Sequence, residues 1–261
     1  WTSNISDDGK ILGESSSEEN VVPLLGMLWD KEKDEIYCDI KSISMPNKVV
    51  TKRNLLSVAQ RVFDVVGFTC PVSLLPKLLL QEVWMRKLTW DEPLPDDIAD
   101  KFSKWVDSIC WLKRCRVPRI VSPLGKLSSD TSSIHVFCDA SQFAYAACVF
   151  IRTESQDEVA VQLVYAKSRI APKNVTIPRL ELLATLVGDR MYTLVRETLK
   201  LSCKAYFWTD SSIVLTWIKE KEDWGTFVGN RCREICTTTN KEEWHHIPGD
   251  LNPADLPSRG S

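Results

Sequence analysis

IHVFCDAS, residues 134–141, places a single acid at the end of an apolar run. Residues 134–138 carry the β-branched and aromatic side chains that favour a strand, and Asp139 stands where that run gives way to small residues. Downstream, residues 144–152 and 159–166 are two more β-rich runs, so three strands come in succession. Pro178 then opens a helix to about residue 199, residues 205–208 (AYFW) make a fourth strand, and residues 211–220 make a second helix. A helix over 229–237, a strand over 243–247 and a short helix beginning near Asn252 complete the order. Three strands followed by alternating helix and strand indicate an α/β domain with a mixed sheet.

Four acids occupy positions where α/β folds place active sites. Asp139 closes the first strand, Glu181 sits in the first turn of the helix opened by Pro178, Asp210 lies between strand and helix, and Asp255 lies in the last short helix, in NPADLPSR. Carboxylates at strand ends and helix starts can converge on one sheet edge. Two unit charges about 4 Å apart repel by roughly 4 kcal/mol at an effective dielectric near 20, so such a group needs protons or cations to persist. Hard oxygen ligands at that density select Mg²⁺ or Mn²⁺, and a pair of these ions suits an in-line phosphoryl displacement. Each acid taken alone has a plainer reading as a turn, cap or macrodipole residue; their order carries the case.

Upstream, residues 21–30 (VVPLLGMLWD) and 35–40 read as two strands around the charged turn 31–34. Met45–Pro46–Asn47 breaks the pattern, and Thr51 caps a helix through residue 64 with Leu55, Leu56, Val58, Ala59 and Val62 on one face. Pro71 opens a helix to about residue 88, which Pro76 would kink or delay, and a third helix covers 97–115. Residues 121–131, with Pro123, Gly125 and several serines, read as a linker.

Composition excludes some classes. There is no apolar run of membrane-spanning length, and the polar, acidic residues 1–20 lack the apolar centre of a signal peptide. Nine cysteines without paired spacing suggest reduced thiols in an intracellular setting. The net charge is −2, but residues 51–120 carry twelve Lys and Arg against eight Asp and Glu, interleaved with Trp84, Trp90, Trp105 and Trp111. That pattern suits a phosphate backbone, or simply amphipathic helices with solvated faces.

HVFCDAS, YAKSRIAPKNVTIPRLELLA, FWTDSSIVLTWI and WHHIPGDLNPADLPSRG together resemble the ribonuclease H domain of BEL/Pao-type LTR retrotransposon polyproteins over residues 134–259. LGMLWD and the segment from Thr51 to Trp84 resemble the region after the polymerase site of the same polyproteins. The resemblance implies a ribonuclease H-like mixed five-stranded sheet with flanking helices over 132–261. A small β-hairpin ending the reverse-transcriptase palm (1–50), a helical thumb and connection (51–120) and the linker 121–131 would precede it.

It also implies hydrolysis of the RNA strand of RNA–DNA hybrids in a cytoplasmic retroelement particle. Asp139, Glu181, Asp210 and Asp255 would be catalytic and hold two Mg²⁺ ions, with Mn²⁺ possible and no zinc expected. Ser141, Lys167, Arg169, Arg179, Ser211 and Asn252 are the candidate nucleic-acid contacts, and the rest of the pol polyprotein is the expected partner. No membrane is expected. The loop histidine of cellular relatives has no counterpart in IPGDLN, where Asp250 is the nearest substitute.

No aromatic-x-Asp-Asp polymerase motif is present, since Asp7–Asp8 and Asp96–Asp97 lie in polar or turn contexts. DNA synthesis by this segment alone is not expected. The order Asp, Glu, Asp, Asp argues against an integrase, and a non-catalytic remnant that binds nucleic acid is the alternative function. Cys232 and Cys236 read as core cysteines rather than a zinc pair with His245 and His246, and Trp208, Trp217, Trp224 and Trp244 as core or rim residues.

Overall fold

The computed structural model describes residues 20–41, 43, 49–125, 127–220 and 222–260. The break at Met45–Pro46–Asn47 and the pair Asp7–Asp8 lie outside these residues.

The run 21–30 is two strands rather than one, β1 (Val21–Leu24) and β2 (Met27–Asp30). They are antiparallel around Leu25 and Gly26, both at positive φ. Its unbroken apolar character hid the turn, because Leu25 is not a residue that advertises left-handed backbone. β3 (Glu35–Cys38) pairs with β2, and the two-residue β4 (Val117–Pro118) adds to β3, so the expected hairpin is a four-stranded sheet.

Helix α1 (Lys52–Ala59) starts where expected, with the Thr51 hydroxyl accepting from Asn54 N at 3.3 Å. It stops short of residue 64 because Asp64 gathers the next segment instead. Its carboxylate accepts from the backbone N–H groups of Val66, Gly67 and Thr69. Helix α2 (Cys70–Met85) runs through Pro76. Proline at 76 has no N–H to offer the Val72 carbonyl, and the indole of the buried Trp105 donates to that oxygen at 2.8 Å. Helix α3 (Asp96–Ser108) carries Trp105 and ends earlier than expected, the chain continuing as a 3₁₀ turn over Ile109–Arg114.

The larger sheet has the order β7-β6-β5-β8-β9. β5 (Ser132–Ala140), β6 (Ala144–Glu154) and β7 (Val159–Ile170) form an antiparallel meander. Helix α4 (Ile177–Leu199) crosses back, and β8 (Lys204–Thr209) pairs with β5 in parallel. Helices α5 (Ser212–Lys219) and α6 (Thr226–Thr238) precede β9 (Trp244–His246), which is parallel to β8; α7 (Asp255–Arg259) closes the chain. The mixed five-stranded sheet with flanking helices is as expected.

One face of this sheet forms the main core. Ile134, Val136 and Cys138 of β5 and Phe207 of β8 pack against Leu180, Leu182, Val187 and Met191 of α4, with Trp244 fully buried beside them. Gly188 lets the helix approach, since a Cβ there would stand 2.5 Å from Cys138 Sγ. Val121 and Leu127 also pack on this core, so the segment read as a linker is partly folded onto the domain. On the opposite face α7 lies over β5 and β6, and α2 packs on both β7 and α7. The α1–α2 loop is joined to β7 as well: Ala166 N donates to Val66 O at 2.7 Å. Gly67, at φ +94, leaves no room for a Cβ, which would fall 1.9 Å from Ala166 O.

Candidate active site

Strand register decides where the acids go. Cys138 of β5 is opposite Thr209 of β8, so Asp139 and Asp210 follow one another at the same end of two adjacent parallel strands. Alternation turns even-numbered β5 side chains into the α4 core and leaves His135, Phe137 and Asp139 on the other face. Asp139 is buried there, within β5 rather than beyond it. Glu181 is the fifth residue of α4, past its first turn, and Asp255 is the first residue of α7.

Three of the four acids have a donor of their own. Ser258 Oγ donates to Asp139 Oδ2, Ser211 Oγ donates to Glu181 Oε2 at 2.5 Å, and Arg259 Nε donates to Asp255 Oδ1. Asp210 is different: its Oδ1 is shielded from solvent without a hydrogen-bond partner among the described residues. A Cβ on Gly249, in the loop after β9, would stand 3.1 Å from its Oδ2.

The acids act on one another. Burial pushes the Asp139 carboxyl above the usual carboxylate range, the Ser258 hydroxyl opposes this, and the charges of Asp210 and Asp255 add to it. Burial likewise raises Glu181, against the Ser211 hydroxyl and with the charges of Asp210 and Asp139. Arg259 feels Asp255 first, then Asp139 and Asp210. Asp139 is thus within charge range of each of the other three. Among the described residues no three Asp, Glu, His or Cys side chains are grouped closely enough to hold a metal ion as placed.

Ser258 and Arg259 were missed by sequence reasoning. The Asp255–Arg259 spacing of four on a helix was the available signal; nothing local pointed from Ser258 to Asp139, 119 residues away.

Three of the expected nucleic-acid contacts turn inward instead. Ser141 Oγ donates to Ser258 O at 2.7 Å and accepts from Phe143 N and Ala144 N. Ser211 is spent on Glu181 and on capping α5 through Val214 N. Asn252 is buried, its Nδ2 donating to Cys138 O at 3.0 Å while its Oδ1 accepts from Ala254 N. Small polar side chains beside tight turns satisfy the backbone first, and here they brace the loops that carry the acids.

Lys167 and Arg169 line a cleft of about 160 Å³ with Arg190 and Leu194 on the α4 side of β7. Arg179 is exposed near Glu181, its guanidinium 5.1 Å from the Phe227 ring centroid. Asp250 is exposed on the 3₁₀ turn Gly249–Leu251. Cys232 is buried as expected, whereas Cys236 is exposed at the end of α6, where the helix turns its edge to solvent.

A family model described as the Pao retrotransposon-like RNaseH-like domain matches residues 51–211. The chain belongs to that family. The matched region takes in α1 to α3 as well as Asp139, Glu181 and Asp210, and ends before Asp255. No curated protein matches the chain.

Among solved structures, a foamy viral protease-reverse transcriptase in complex with double-stranded DNA is 10% identical with a TM-score of 0.49; the match covers 87% of this chain and 37% of that one. This chain therefore spans a little over a third of that protein. LC11-RNase H1 in complex with an RNA/DNA hybrid is 14% identical with a TM-score of 0.33, covering 48% of this chain and 91% of that one. RNase H1 from the halophilic archaeon Halobacterium salinarum NRC-1 is 16% identical with a TM-score of 0.31, covering 47% and 89%. Among the described residues no helix is long and apolar enough to cross a membrane.

Proposed function

We propose that this Pao-family domain is a metal-dependent endonuclease that cuts the RNA strand of RNA–DNA hybrids. One observation carries the reading: Asp139 on β5 and Asp210 just past β8 stand at the same end of adjacent parallel strands, and Glu181 of α4 and Asp255 of α7 both come within charge range of Asp139. A structural role would scatter such acids or pair each with a base. Here burial and crowding destabilise the charged forms, and Asp210 keeps a shielded oxygen without a donor. An all-oxygen, electron-rich donor set of this kind fits Mg²⁺ or Mn²⁺.

Asp139, Glu181, Asp210 and Asp255 would hold the ions. When bound, two such ions supply Lewis acidity for in-line displacement at phosphorus. The chain's own residues do the positioning. Ser258 fixes the rotamer of Asp139, Ser211 fixes Glu181 against the start of α5, and Asn252 ties the loop before α7 to the end of β5. Lys167, Arg169 and Arg179 are proposed to meet phosphates, with recognition by duplex shape and 2′-hydroxyl contacts rather than sequence.

We further infer that residues 21–40 continue a reverse-transcriptase palm and that 51–120 serve as thumb and connection. The rest of a pol polyprotein would be the partner, inside an intracellular retroelement particle. The family match across both modules and the packing of α2 on α7 support reading them together. A domain that binds hybrid without cutting is the second reading, favoured by the pairing of Asp255 with Arg259. The discriminating experiment is incubation with labelled hybrid, with and without Mg²⁺, beside single-stranded RNA and duplex DNA. Loss of hybrid RNA alone, and only with metal, supports cutting; a gel shift without cleavage supports the second reading.

A further inference from the structure

The face of the sheet that carries Asp139 continues away from the acids as a graded surface. Register and alternation set its rows. Phe137, Trp208 and His245 form the row next to Asp139 and Asp210; His135 and Tyr206 form the row after it; Ser133 and Lys204 close the far end of β5 and β8. Among the described residues the helices reaching this face, α2 and α7, stay over β7, β6 and β5. The β8–β9 side is therefore left with half-buried aromatic rings. They are ordered: His135 stacks on Tyr206 at 5.0 Å, Trp208 lies 5.1 Å from His245, and Trp208 Nε1 donates to His135 Nδ1 at 3.3 Å.

At the far end, His135 and Tyr206 open into a hollow of about 480 Å³ that also holds Thr131, Ser133, Arg152 and Lys204. Glu154 is taken by Arg152, and Asp130 stands on the rim. Lys204 is exposed and makes no ion pair among the described residues.

We propose that this hollow and the aromatic ladder leading from it bind a single-stranded polynucleotide. Bases of any identity have faces that stack on aromatic side chains, and a free ammonium beside them suits a phosphodiester. The spacing agrees. Tyr206 and Trp208 stand 6.4 Å apart at 24°, close to twice the rise of about 3.4 Å per nucleotide in a stacked strand. From Lys204 to Asp210 the strand advances roughly 20 Å, at about 3.3 Å per residue, which is room for about three nucleotides at that opened spacing. The strand would thus run from Lys204 toward the acids without using them, so the inference stands or fails separately from the nuclease reading.

The test is fluorescence anisotropy of the full chain with short labelled oligouridylate and oligothymidylate, in chelator so that nothing is cut. Lys204→Glu, an exposed substitution, should weaken both by about tenfold and reduce the slope of log affinity against log salt by about 0.7. Tyr206→Ala should weaken both by about tenfold through lost stacking. Arg233→Glu, exposed on α6 across the sheet from this face, should leave binding unchanged. Unaltered affinity in Lys204→Glu, or equal weakening in Arg233→Glu, overturns the proposal. So does a result in which Lys204→Glu dissolves a dimer in sedimentation without changing oligonucleotide affinity, since the face would then join copies of the chain.

Discussion

Ser211 Oγ donates to Glu181 Oε2 at 2.5 Å while accepting from Val214 N, so one hydroxyl caps helix α5 and holds the acid presented by α4. The hydroxyl also lowers the Glu181 pKa against the burial that raises it. Ser211→Ala should therefore do two things. Loss of the cap costs about 1 kcal/mol, read as a lower denaturant midpoint. Loss of the donor moves Glu181 further up, so the acidic limb of the pH–rate profile for hybrid cleavage shifts to higher pH. An unshifted limb would make the serine a cap and nothing more.

Asp139 and Glu181 both have pKa values raised in the folded protein. Such a carboxyl binds its proton more tightly folded than unfolded. Its contribution to stability is full below the unfolded pKa and is lost as pH rises through the folded pKa. At neutral pH the site is thus a destabilised spot that cation binding relieves. Mg²⁺ or Mn²⁺ should raise the melting temperature, by the equivalent of about 2.7 kcal/mol at a hundredfold excess over Kd. Asp210→Asn should raise the metal-free stability by about 1 kcal/mol through reduced repulsion, and largely erase the metal response. Scanning calorimetry with and without metal reads both effects.

Asp189 lies outside the site, buried between α4 and α6, where the Thr238 hydroxyl donates to it. Burial pushes its carboxyl up to about 6. By the same sign, the fold loses stability as pH rises from about 4 through about 6, by on the order of 3 kcal/mol. Asp189→Asn should flatten the urea-unfolding free energy over that interval, and a persisting slope would place its origin elsewhere.

Gly67 presses on the Ala166 carbonyl at positive φ, where the α1–α2 loop meets β7. Gly67→Ala should cost more than about 2 kcal/mol, because both the backbone conformation and the contact oppose a Cβ. Gly225→Ala, with nothing within 4 Å of the added carbon, should cost only a few tenths of that. Equal midpoints for the two would show that the helical module and the sheet are not joined through this loop.

The strand and helix succession from Ser132 onward was legible because each element has a clear period, and the four acids because they lie near the ends of such elements. The bonds that hold those acids were not. Ser141 reaches Ser258 across 117 residues and Asn252 reaches Cys138 across 114, and a polar residue beside a turn looks the same whether it faces a phosphate or a carbonyl. Pro76 misled for a related reason: the indole that replaces its missing N–H comes from Trp105 on another helix. Likewise the first strand pair was hidden by Leu25, whose apolar side chain disguises a turn.

The central claim, that these acids jointly cut RNA, is tested most directly by single-turnover cleavage of a labelled RNA–DNA hybrid in Mg²⁺. Wild type and Asp210→Asn should be compared at matched thermal stability. The account predicts metal-dependent cutting by the wild type and a fall of about a thousandfold in the variant, a loss of roughly 4 kcal/mol of transition-state stabilisation. Equal rates for the two folded proteins would contradict it.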